Sequence, residues 1–163
     1  MNGSLKARYG LFLVFVAVLI AVDQWTKMIA YSRLLGQPPI DVLPMLQWAL
    51  VFNRGAAFGF LGNAGGVQHY LFSGLAIIVS GVLLVWLWRE VGRNLLLSWG
   101  LALILAGAIG NLIDRLRFQY VIDFINLHYG GWYFPAFNIA DMAITFGAIL
   151  FLMDAFNIFQ RNS

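Results

Sequence analysis

The sequence predicts an all-α integral membrane protein. Four transmembrane helices carry long outer loops and a small β-containing extracytoplasmic cradle, in a single domain over residues 1–163. Composition is the first reason. Of the residues, 61% are hydrophobic and 10% charged, and the mean hydropathy is +0.81. A soluble domain has about 45–50% apolar and about 25% charged residues. So few charges cannot cover a water-facing surface, which excludes an ordinary soluble enzyme and a disordered chain. The second reason is four apolar segments near the ~20 residues that a helix needs to cross hydrocarbon. The net charge is +3 and the basic residues are scattered, so no nucleic-acid partner is expected. There is no cysteine and there are only two histidines, His69 and His128. No disulfide, thiolate chemistry, metal or cofactor is expected.

The first span is read over residues 9–31, centred on LFLVFVAVLIAV. Lys6 and Arg8 precede it, as in a signal peptide. Asp23-Gln24-Trp25-Thr26-Lys27 follows in place of a small-residue cleavage site, so the helix is expected to be retained. The outer loop 32–67 contains an apolar stretch, MLQWALVF at 45–52, suited to a short strand or interfacial segment. Asn53-Arg54-Gly55-Ala56-Ala57-Phe58-Gly59 and the glycines 62, 65 and 66 then permit tight turns. Residues 45–60 are expected to form a cradle over the site. The second and third spans are read over 68–88 and 95–114, joined by a short basic loop at 89–94. Gly100, Ala102, Ala106, Gly107 and Gly110 in the third span predict close helix packing. A second outer loop, 115–137, precedes the fourth span at 138–156. Lys6, Arg8, the loop 89–94 and Arg161 favour cytoplasmic placement of both termini. Arg33, Arg54, Arg115 and Arg117 on the other side oppose that bias.

Carboxylates inside membrane helices are costly and point to function. Asp23 lies toward the outer end of span one, Asp114 closes span three, and Asp141 opens span four. Asp123 falls in the outer loop between the last two, so four of the seven acids gather at one face. Asn111-Leu112-Ile113-Asp114 and Asn138-Ile139-Ala140-Asp141 both read Asn-x-x-Asp. Residues three apart share a helix face, so each motif sets an amide beside a carboxylate. Two aspartates in one site can divide their ionisation, one accepting a proton while the other supplies one. Such a pair can activate water and protonate a leaving amine, as in aspartic proteases. Plainer readings compete. Asp23 with Lys27 is an ordinary i, i+4 ion pair, Asp114 a helix end beside Arg115, Asp123 a solvated turn, and Asp141 an N-terminal helix acid. From the residues alone, Asp114 and Asp123 are equally eligible partners for Asp141.

Other chemistries fit less well. There is no His-Glu-x-x-His zinc motif, Ser80 has no nearby Lys or His, and Ser73 has only His69, which is read as interfacial. A small four-helix transporter or membrane scaffold is the alternative from another class, but transporter sites lie near the midplane. The Tyr-Asp and Gly-x-Gly-Asp motifs of presenilin-type proteases are absent.

Across essentially its whole length the chain resembles the bacterial lipoprotein signal peptidases (signal peptidase II). The motifs that carry the resemblance are Asp23–Lys27, Asn53–Gly59, Gly110–Arg115, Val121-Ile122-Asp123-Phe124 and Phe137–Asp141. The resemblance implies an aspartic endopeptidase of the bacterial inner membrane, with its site at the periplasmic face. It would cut diacylglyceryl-prolipoproteins just before the lipidated cysteine, next to membrane lipid, and be blocked by globomycin. It also implies a catalytic dyad of Asp123 and Asp141. Asp23, Asn53, Arg54, Gly55, Asn111, Asp114, Arg115, Asn138 and Ala140 would support the site or hold substrate.

Overall fold

The computed structural model describes residues 3–55 and 67–156. The expected cradle flank at 56–66 and Arg161 lie outside the described residues. Helix α1 (Gly3–Leu34) leads into strands β1 (Ile40–Leu43) and β2 (Leu46–Asn53). Helices α2 (Val67–Glu90) and α3 (Leu95–Phe118) follow, then β3 (Val121–Tyr129), β4 (Trp132–Tyr133) and α4 (Ile139–Ala155). Among the described residues three helices, α1, α2 from His69 onward, and α3, are long and apolar enough to cross a membrane. The fourth, α4, has 17 residues, ~25 Å of helix at 1.5 Å per residue, and falls short of that length.

Helix α3 is the centre of the bundle and packs against α1, α2 and α4. Its buried face alternates leucine with small residues, among them Leu97, Leu101, Ala102, Leu105 and Ala106. Phe12, Val16, Leu83 and Leu87 complete this core from α1 and α2. The small residues set the α3–α4 separation. A Cβ on Gly147 would lie 2.7 Å from the Gly100 carbonyl oxygen, and one on Gly107 would overlap the Ala140 carbonyl. The outward faces of α1 and α2 remain apolar, with Leu11, Val14, Ile78 and Val82 exposed. That pattern suits hydrocarbon rather than water.

Beyond one end of the bundle lies a four-stranded antiparallel sheet, ordered β1-β2-β3-β4. The expected strand at 45–52 is β2. The expected loop at 115–137 is largely regular structure. Helix α3 continues past Asp114 to Phe118, so Asp114 does not end it. Gln119 then adopts a left-handed conformation (φ 65°) and donates its N–H to the Arg115 carbonyl. This turn feeds the chain into β3, which puts Asp123 in an interior strand instead of a solvated loop. Ala30 and Leu34 of α1 pack with Phe124 beneath the sheet. Gly130 (φ 55°) and Gly131 (φ 85°) form the two-residue turn between β3 and β4, a geometry that needs positive φ at both positions.

Candidate active site

The polar residues singled out in α1, α3 and α4 converge where the bundle meets the sheet. Asp23 and Lys27 lie one turn apart on the face of α1 turned toward α3, and their charged groups are 2.8 Å apart. Lys27 also reaches Asp114 of α3 at 3.1 Å. All three residues are only 1% exposed. Two carboxylates and one ammonium in such surroundings need further donors to be tolerated. Those donors are present. The Ala140 N–H donates to Asp23 at 2.9 Å and the Ile122 N–H to Asp114 at 3.0 Å. The Gln24 amide donates to Asp114 at 2.8 Å. Gly110 makes room, since a Cβ there would lie 2.7 Å from an Asp23 oxygen.

Asn138 is the N-cap of α4 and is fully buried. Its side-chain oxygen accepts the Asp141 N–H at 2.9 Å, and its own N–H donates to the Asp141 carboxylate at 3.2 Å. This reciprocal pair is a capping box with an acid at its third position. The remaining end of the Asn138 side chain donates to Asp123 Oδ1 at 2.6 Å. One asparagine therefore touches both carboxylates. Asn53 donates to the other Asp123 oxygen at 3.0 Å, and the Gly55 N–H donates to Asn53 Oδ1 at 3.0 Å. Asn111 donates to Asp141 Oδ1 at 2.8 Å.

The placement of Asn53 depends on an irregularity in β2. Trp48 pairs with Ile125 and Val51 with Asp123, so β2 advances three residues where β3 advances two. A slip of one residue exchanges the two faces of a strand. The bulge therefore sets Asn53 on the same face as Asp123.

A cavity of about 990 Å³ opens over this frame. Asp123, Asp141, Asn53 and Arg115 line its polar side, and Phe134 and Met142 are among its apolar walls. Arg54 also lies at this wall, exposed. Arg115 donates to the Asn111 carbonyl at 3.4 Å. Burial, then the neighbouring Asp141 charge, push the Asp123 carboxyl up to about 7, against the hydrogen bonds from Asn53 and Asn138. Every expected site residue is thus in or adjacent to one frame. Asp114 lies behind the frame, engaged by Lys27. Lys27 and Gln24 belong to it as well, although the sequence marked Lys27 only as an ion-pair partner of Asp23.

A family model described as signal peptidase (SPase) II matches residues 15–157. The chain belongs to the signal peptidase II family. It is 51% identical over 162 residues to a lipoprotein signal peptidase of Acinetobacter baylyi, covering 94% of this chain and 90% of the relative. A lipoprotein signal peptidase of Acinetobacter baumannii is 53% identical over 137 residues, 84% of this chain and 78% of the relative. A solved bacterial membrane enzyme is 31% identical with a TM-score of 0.77, over 94% of this chain and 92% of that one. A signal peptidase II is a transmembrane protease of lipoprotein processing, and the three apolar helices here agree with that setting. A transporter or inert scaffold is not what these relatives are.

Proposed function

We propose that this signal peptidase II is an aspartic endopeptidase whose dyad is Asp123 and Asp141. It removes signal peptides from diacylglyceryl-modified prolipoproteins by cutting just before the lipidated cysteine. The observation that carries the reading is the shared asparagine. Asn138 bonds to Asp123 and Asp141 together, and both line one cavity. Lys27 and a backbone N–H occupy Asp114, so it is poorly placed to replace Asp123. With one proton between the dyad members, the ionised carboxylate takes a proton from water as that water attacks the scissile carbonyl. The protonated member supplies a proton toward the substrate and the departing amine, with no covalent intermediate. The apolar walls suit a substrate with lipid on one side of the scissile bond and a hydrophobic signal helix on the other. Globomycin is expected to compete for the same cavity.

Helix α4 is proposed as the fourth crossing, packed along α3. Both termini then face the cytoplasm of the bacterial inner membrane, with the sheet and dyad on the outer side. The test is cleavage of a purified diacylglyceryl-prolipoprotein by the detergent-solubilised chain, beside Asp123→Asn and Asp141→Asn. Both folded variants should lose activity by at least roughly 100-fold, the low end of what a general acid or base contributes. Cleavage that survives Asp123→Asn but not Asp114→Asn would transfer the role to Asp114. No cleavage by the unaltered chain of a competent lipidated substrate would overturn the reading.

A further inference from the structure

We infer that Lys27 is a positioning residue for the reaction: its buried ammonium holds Asn111 in the amide orientation that presents a donor to Asp141. This rests on the dyad reading above. Lys27 has three N–H donors and no acceptor, and all three are used, on Asp23, Asp114 and Asn111 Oδ1. The contact to Asn111 is 3.0 Å. Asn138 donates to the same Asn111 oxygen at 3.2 Å. With its oxygen so engaged, Asn111 can offer Asp141 only its NH2 group, which it does at 2.8 Å. Reversing the amide would set N–H against ammonium and oxygen against carboxylate, two repulsive contacts exchanged for two attractive ones. Asn138 alone is a weak guard against this, because its amide is bound more closely to Asp123, at 2.6 Å.

Lys27 is itself held by elements that carry the dyad. Asp23 is anchored by the Ala140 N–H, next to Asp141, and Asp114 by the Ile122 N–H, next to Asp123. Any shift of either segment is therefore transmitted through the two acids to the ammonium and on to Asn111. A compact ammonium suits this three-way position, whereas a planar guanidinium would not. The charged groups around the dyad are Asp23 on α1, Arg54 after β2, Asp114 and Arg115 on α3, and the dyad acids on β3 and α4. Without Lys27, Arg54 at the exposed cavity wall and Arg115 are the remaining cations in this set. Ionising Asp123 then becomes harder, which moves the activity profile to higher pH.

The experiment is steady-state cleavage of a diacylglyceryl-prolipoprotein by the solubilised full chain, comparing Lys27→Met, Asn111→Ala and the double variant across pH. Lys27→Met should lower kcat by roughly 100-fold, within the range of coupled hydrogen-bond networks. KM should stay close to that of the unaltered chain, and the pH profile should move upward. The double variant should be no slower than Asn111→Ala alone, because the lysine acts through that amide. A folded Lys27→Met with unchanged kcat and pH profile would overturn the inference. Losses that multiply in the double variant would do so too. If Lys27→Met fails to fold, Asp23→Asn with Lys27→Met keeps the formal charge of the buried trio: its kcat is read in the same way, and its pH profile should stay near that of the unaltered chain. Asp123→Asn and Asp141→Asn run alongside. If both are inactive while Lys27→Met is normal, only the role of Lys27 fails. If either is active, the dyad itself fails.

Discussion

Asp123 is under two opposed demands. Two amides hydrogen-bond its oxygens, which favours the charged form, while burial and the facing acid favour the neutral one. Burial prevails, and the carboxyl titrates at about 7. The consequence for stability has a definite sign. An unfolded aspartate titrates near ~3.9. Between that value and 7 the native state holds a proton that the unfolded chain has released. The stability tied to this group is fully present below pH ~4 and declines as pH rises toward about 7. Melting of the solubilised protein should therefore shift to lower temperature from pH 5 to pH 8. Asp123→Asn should flatten that slope, and an equal slope in the variant would refute the assignment. Turnover should also fall as pH rises through about 7. At this scale the sequence was readable where partners lie within one helical turn. Asn138 with Asp141 is such a case, and the short spacing already implied an amide beside an acid. Lys27 was not readable in the same way. Its contacts with Asn111 and Asp114 are made by folding, across 84 and more positions, and no local pattern announces them.

The bulge in β2 is a small element on which the site depends. Asn53→Ala keeps this pairing and removes only the amide that the bulge delivers to Asp123. Cleavage should drop by about 10-fold or more, while the helical circular dichroism stays unchanged; one good second-contact hydrogen bond is of that order. Activity equal to that of the unaltered chain would show that the amide at this register position does not matter. The helices were legible from apolar runs alone, because a membrane helix must satisfy its own backbone bonds. The sheet was legible only in part. The run at 45–52 announced β2, but β3 was hidden inside a segment whose acids and aromatics read as loop. Gly130-Gly131, a hairpin signal by its φ requirements, was the clue that could have found β3 and β4.

Taken as a whole, the molecule has a polar centre and an apolar exterior, with Lys27, Asp23 and Asp114 among its most buried side chains. Composition foretold the exterior, since so few charges could not face water. It could not foretell which charges would be enclosed together, because that follows from how five elements close on one another. The proposed orientation can be checked directly, as the chain has no cysteine. Gln37→Cys, in the exposed segment after α1, should react with an impermeant maleimide in cells whose outer membrane has been opened. Arg93→Cys, exposed between α2 and α3, should react only once the inner membrane is disrupted. The reverse labelling pattern would invert the topology. The bond from the Ala140 N–H to Asp23 joins residues 117 positions apart, and this has a bearing on biosynthesis. Asp23 is made well before the N–H that anchors it. A ribosome-bound chain that has not yet made α4 has no Asn138 and no Asp141, so on the proposed dyad its site is completed only when that helix packs along α3.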